Sequence, residues 1–244
     1  MNAAAHYLGT LAVAGLLSVV VFVATPASGQ TAPTAEQGAR YEGLHAAAYH
    51  GRVADLEKLL AAGATPDVRD AHGRAPLHVA TFRRHSDVIR SLAKAGAELG
   101  ALENDRYDAV TIAAVADDER TLDLLLSLGA SAGLVTSRYD GTALIAAAHL
   151  GHAGVVRRLI DAGAPLDHVN NLHWTAVIES IVLGDGGARH RETLAALVAA
   201  GADLGITDRA GNTPLALAKS RGYEEMTRIL EAAGSLRPSS RPSR

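Results

Sequence analysis

At 244 residues, 48% of them hydrophobic and 20% charged, the chain has the make-up of a folded protein with room for one large domain or an extended array. The formal net charge of −3 comes from interspersed acids and bases, with no basic stripe of the kind that tracks a nucleic-acid backbone, so no nucleic-acid partner is expected. The absence of cysteine excludes disulfide, thiolate and lipoprotein chemistry and leaves the fold independent of redox state.

From the N-terminus, Leu8 to Ala24 is an uncharged apolar run, followed by Thr25-Pro26-Ala27-Ser28-Gly29-Gln30. Small residues at that place fit a signal-peptidase site, cut after Ala27 or Gly29, so residues 1–29 read as a signal peptide. The stretch before the run carries no Lys or Arg, only the amino terminus and His6. A retained N-terminal anchor is the alternative, since the run is near the lower limit of about 17–25 residues for spanning a bilayer. Either way the remainder lies outside the cytoplasm. Alanine is abundant and Arg greatly outnumbers Lys, which suggests a GC-rich bacterial genome and makes the periplasm the expected location, with no membrane insertion after cleavage. Thr25 to Gln37 is rich in Ala, Thr, Pro, Ser and Gly and reads as flexible, so residues 30–39 are assigned as a linker.

Residues 40–235 repeat. Gly63, Gly96, Gly129, Gly163, Gly201 and Gly234 are spaced 33, 33, 34, 38 and 33 apart, each within or near an Ala-Gly-Ala phrase. Leu44, Leu77, Val110, Leu144 and Leu215 each precede their glycine by 19 residues, and Val177 precedes its own by 24. The second repeat shows what one unit does. Pro76 suits the first turn of a helix, where a missing N–H costs nothing, and Leu77, Ala80 and Thr81 then share one helix face. Arg84-His85-Ser86 allows a turn, and Ser86 is placed to cap the next helix. Val88, Ile89, Leu92 and Ala93 give that helix a core-facing stripe, and Gly96 ends it in the left-handed conformation. Runs such as Ala46 to Ala48, Ala113-Ala114 and Ala146 to Ala148 let neighbouring helices approach closely.

Ala75-Pro76-Leu77-His78-Val79-Ala80 and Thr213-Pro214-Leu215-Ala216-Leu217-Ala218 resemble the ankyrin motif Thr-Pro-Leu-His-x-Ala, with weaker copies at Thr142-Ala143-Leu144 and Thr175-Ala176-Val177. The copy at Asp108-Ala109-Val110-Thr111 is the poorest, and Leu44-His45-Ala46-Ala47 opens a degenerate first repeat. The resemblance implies an all-α solenoid of about six helix–turn–helix repeats with finger loops, His45 and His78 bracing adjacent repeats, and a concave groove where partners dock. It implies a monomeric, non-enzymatic scaffold that binds another protein, with no cofactor. Residues 174–191 are also similar to a segment of secreted bacterial ankyrin proteins of periplasmic type, some linked with peroxide defence beside a catalase. The partner implied is therefore an envelope protein, an antioxidant enzyme being the candidate class.

Counting from the motif leucines places Tyr107, Tyr139 and Trp174 on fingers, and Tyr49 and Phe82 at the exposed end of inner helices. These five aromatics are expected on the binding face, since large aromatics anchor interfaces. His50, Arg83, His72, Arg74, Arg138, His149 and Asn212 fall beside them at finger or groove positions and complete the candidate set.

The fifth repeat holds five extra residues between its helices, in Leu183 to Arg191. Glu179, an acid in an inner helix, is expected to bond to that following loop. Glu179, Asp185 and His190 are the candidates for an alternative enzymatic or small-molecule role, and the loop glycines for an anion-binding nest. No nucleophile elbow, phosphate loop or His-Glu-x-x-His helix accompanies them, and eleven scattered histidines do not set a metal spacing. Asp117-Asp118-Glu119 reads as favourable charge at a helix start. Residues 236–244, with three arginines among Pro and Ser, read as a disordered tail.

Overall fold

The computed structural model describes residues 30–236; the expected signal peptide and nearly all of the expected tail lie outside them. A short helix, α1 (Ala35–Arg40), precedes six helix pairs: α2 (Gly43–His50) with α3 (Val53–Ala61), α4 (Pro76–Phe82) with α5 (Ser86–Lys94), α6 (Ala109–Val115) with α7 (Glu119–Ser127), α8 (Ala143–Leu150) with α9 (Ala153–Asp161), α10 (Ala176–Val182) with α11 (Ala188–Ala199), and α12 (Pro214–Ser220) with α13 (Glu224–Leu236). Even-numbered helices pack on one another as an inner row, and the odd-numbered helices from α3 onward pack as an outer row. Among the described residues the extended pairing is a single bridge, Thr136 to Gly141.

The core lies between the rows. Leu56, Leu92, Leu125, Leu159, Leu197 and Met226, one from each outer helix, are fully buried against inner-row alanines such as Ala48, Ala80, Ala114, Ala148 and Ala218. Inner helices start where the motif says. Thr142, Thr175 and Thr213 accept the third-residue N–H of α8, α10 and α12, and Asp108 does so for α6. Pro76 is the first residue of α4, and Ala75, which cannot cap, gives its N–H to His78 Nδ1 at 3.0 Å. Gly96 follows the end of α5 at φ +83°, as expected. Gly234 departs from the pattern: α13 runs through it to Leu236. Ser86 departs too. It is the first residue of α5, and His85 occupies the cap position without a side-chain cap bond. Its Nε2 instead donates to the Tyr49 carbonyl at 3.2 Å.

That departure belongs to a second bracing system. His45 Nε2 donates to the Arg74 carbonyl and His78 Nε2 to the Ala101 carbonyl, both at 2.8 Å, as expected of the motif histidines. On the opposite side of the array, outer helices reach back to the preceding repeat: His152 to the Ala114 carbonyl, His190 to the His149 carbonyl and the Tyr223 hydroxyl to the Gly184 carbonyl, at 2.9, 3.0 and 2.9 Å. Among the described residues, six histidines are spent on joining repeats: these four, His85, and His168, whose Nε2 donates to the Asp140 carbonyl at 2.7 Å.

The linker expected at 30–39 is instead an ordered segment. Thr34 caps α1 and Gln37 returns the bond to the Thr34 N–H, a capping box. Pro33 and Gly38 are buried, and the absent Gly38 side chain leaves room for the Tyr49 ring. Composition misled because small and polar residues serve a close docked segment as well as a free one.

The five extra residues of the fifth repeat divide between loop and helix. The α10–α11 connection is five residues where α4–α5 and α6–α7 use three, and α11 has twelve residues where α5, α7 and α9 have nine. Asp185 accepts the Gly187 N–H at 2.8 Å, so a nest donor is satisfied inside the loop, and the Tyr223 ring packs over Gly186.

Candidate functional site

Three fingers each turn on one carboxyl or amide oxygen. Asp70 Oδ1 accepts the N–H groups of His72 and Arg74, Asn170 Oδ1 those of Leu172 and Trp174, and Asp208 Oδ1 those of Ala210 and Asn212, all between 2.8 and 3.0 Å. Backbone bonds then tie the fingers together: Asn104 N–H to His72 O, Ser137 N–H to Arg106 O, Asn171 N–H to Tyr139 O. The finger tips form one connected edge, presented beside the inner helices.

The structure divides the twelve candidate residues. Tyr139, 51% exposed, Arg138, His72, His50, Arg83 and Asn212 are exposed, and Phe82, His149 and Trp174 are half-buried. Arg138 pairs with Asp105 of the neighbouring finger, and Asn212 bonds to its own finger's Asp208. Arg83 lies over the Tyr49 ring, 4.5 Å from its centre.

Arg74, Tyr49 and Tyr107 are corrections. Arg74, expected at the binding face, is 1% exposed. Its guanidinium donates to Asp70 Oδ2 at 2.8 Å, to the Thr31 carbonyl at 3.0 Å and to Gln37 Oε1 at 3.1 Å. Burial would raise the Asp70 carboxyl, but hydrogen bonds from Tyr41, Arg74 and His72 outweigh it and hold the group below its usual value. Burial, joined by the bond to Asp70, raises Tyr41 well above an ordinary phenol. Tyr49, expected at an exposed helix end, is covered by α1 and packs edge-on against Tyr41. Tyr107 is buried among the finger bases, and burial raises its hydroxyl.

The corrections at Arg74 and Tyr49 share one cause, the segment before α2. From Arg74 it continues to Gln30, whose Nε2 donates to the Thr111 carbonyl at 3.0 Å. It therefore crosses from the first repeat to the third. Residues two beyond each motif leucine line the inner row: Val79 and Ile112 are fully buried in the repeats this segment reaches, whereas Ala146 and Leu217 remain partly exposed.

Glu179 holds the same place in the fifth repeat and is 4% exposed. It does not bond to the following loop, as expected, but backward. Oε1 accepts from Asn170 Nδ2 at 2.9 Å, and Oε2 lies 3.3 Å from Nδ1 of His149, whose side chain is 32% exposed. Oε2 makes no hydrogen bond. Asp185 and His190 form a separate pair, Nδ1 to Oδ1 at 2.9 Å, with His190 Nε2 on the His149 carbonyl. Both His190 nitrogens are engaged, so this ring is not a free base, and the three candidates of the enzymatic reading do not converge on one point. The Gly187 N–H and then His190 hold the Asp185 carboxyl below its usual value. Among the described residues no group of three or more His, Asp or Glu is placed to hold a metal ion. Asn170, which aims both Glu179 and the Trp174 turn, went unnoticed in the sequence; its alignment with Asp70 and Asp208 was the available signal.

A family model for ankyrin repeats matches residues 44–136 and 110–208. The ankyrin repeat protein YahD of Escherichia coli is 30% identical over 190 residues, covering 78% of this chain and 94% of that protein. A solved ankyrin repeat domain from Acinetobacter baumannii is 38% identical, with a TM-score of 0.74 over 78% of this chain and 97% of its own. The solved ankyrin repeat domain of Bcl-3 is 25% identical, with a TM-score of 0.71 over 80% and 87%.

Proposed function

The chain belongs to the ankyrin-repeat family, and from that premise we propose that it is a non-enzymatic scaffold of the bacterial envelope that binds another protein through its fingers and the adjoining inner helices. One observation carries this reading. Tyr139 and Leu172 stand exposed on neighbouring finger tips that the Asn171–Tyr139 backbone bond locks together. Exposed large side chains on a rigid edge are where binding energy concentrates, because little ordering entropy opposes contact.

Export rests on the apolar run Leu8 to Ala24 and the small residues after it. No helix among the described residues is long and apolar enough to cross a membrane. The partner is an envelope protein; an antioxidant enzyme as its class follows from the resemblance of residues 174–191 alone.

The test is capture from envelope extract by the purified protein and by a Tyr139→Ala/Trp174→Ala variant, with mass spectrometry of what is retained. A partner retained by the first and lost by the second supports the reading. A partner held equally by both places the working surface elsewhere.

A further inference from the structure

Four facts meet at the fifth repeat. Glu179 is buried at the inner row, one carboxylate oxygen is fixed by Asn170, and the other makes no hydrogen bond. Facing that oxygen, with Nδ1 3.3 Å away, is the ring of His149, a half-exposed side chain at the end of α8. Ala146, the equivalent of Glu179 one repeat earlier, is partly exposed, so the small side chain leaves the inner row open there. The first three repeats are crossed by the chain's own N-terminal segment, held by a buried finger-base side chain, Arg74, through a backbone carbonyl.

We infer that the open half of the groove, over the fourth and fifth repeats, is a receptor for a lysine side chain of the partner protein, with Glu179 Oε2 as its counter-charge. This rests on the scaffold reading and adds the chemistry of what is recognised. A buried carboxylate oxygen without a hydrogen bond carries a desolvation cost that a cation relieves. The choice of lysine follows from the geometry. Asn170 has taken Oε1, so one acceptor remains and the two-pronged contact of a guanidinium is denied, whereas an ammonium needs a single point. His149 guards the place: its half-exposed side chain faces Glu179 Oε2 across 3.3 Å, and its ring is the group the ligand displaces. Trp174 reports on the event, because its backbone N–H and the Glu179 carboxylate are held by opposite ends of the same Asn170 side chain.

The probe is Nα-acetyl-lysine amide, with Nα-acetyl-norleucine amide as its uncharged counterpart, titrated into the purified protein while the indole N–H resonance of Trp174, the sole tryptophan, is followed. The lysine compound should give a saturable shift and the norleucine compound none. Glu179→Gln should weaken binding at least tenfold. His149→Ala should strengthen it severalfold, because the internal competitor is gone. Equal shifts from both compounds, or unchanged affinity in Glu179→Gln, overturns the inference. Should Glu179→Gln lose its helical circular dichroism, His149→Ala decides: tighter binding supports the inference and weaker binding overturns it. If capture of the partner still depends on Tyr139 and Trp174 while the lysine probe fails, the scaffold reading stands and the lysine receptor falls.

Discussion

The guanidinium of Arg74 donates to the carbonyl of Thr31 across 3.0 Å, and so fastens the N-terminal segment to the second repeat. Its other contacts neutralise Asp70, whose carboxylate is itself almost wholly enclosed. Arg74→Met should leave that carboxylate without its cation and release residues 31–37. Removing one partner of a buried pair costs about 3–5 kcal/mol. Urea unfolding should show a loss of this size, and amide exchange should show residues 31–38 freed. A loss below about 1 kcal/mol would mean that water replaces the guanidinium with ease.

His78 carries a pH dependence. Burial pushes its pKa down to about 4 from an ordinary value of 6.5, and the ring stays neutral, accepting from Ala75 and donating to Ala101. Between those values the unfolded chain binds the proton and the folded chain does not. Stability is therefore fully present above pH 6.5 and falls as pH drops toward 4. The shift is worth on the order of 3 kcal/mol. Urea midpoints at pH 7.5, 5.5 and 4.5 should decline in that order, and His78→Gln should flatten the decline.

Two glycines forbid side chains for separate reasons. A Cβ on Gly38 would strike the Tyr49 ring, and one on Gly184 would strike the Ser180 carbonyl, which as backbone has little freedom to yield. Overpacking of this kind costs about 1–3 kcal/mol. Gly184→Ala should lower the melting temperature, whereas Gly38→Ala should act chiefly by lifting α1, seen as new protease cleavage near residue 40.

Trp174 and Leu92 separate surface from core. Trp174→Ala should weaken partner binding by about 2 kcal/mol, as a hot-spot truncation does, with little change in melting. Leu92 is fully buried in α5, and Leu92→Ala should cost about 2–5 kcal/mol of stability. A Trp174→Ala protein that melts early yet binds its partner normally would show that the ring is packing.

Much of the fold was legible because its signals are periodic. The motif leucines and five of the six terminal glycines fall where the spacing puts them, since each repeat solves the same packing problem. What escaped was whatever occurs once. The segment from Gln30 to Arg40 matches no repeat, and its contacts lie with Arg74, His72 and Thr111, far off in sequence. Arg74 and Tyr49 were assigned to the surface on register alone, which is sound until another segment is laid over them. Glu179 stood out as an acid in an apolar row, but its partners, Asn170 and His149, lie on a finger and on the preceding repeat, directions that spacing within one repeat does not give.

The bond from Gln30 to Thr111 spans 81 residues, where the braces between repeats mostly span between 23 and 41. A stack held only by adjacent contacts can fray from either end, one unit at a time. Here the leading end is strapped to the third unit, while α13 packs against its neighbours α11 and α12. The array is thereby given a direction. Pulled or heated, it should open from its C-terminal edge, with the strapped units yielding together and last, so that a groove crossed by its own chain doubles as the anchor of the whole stack.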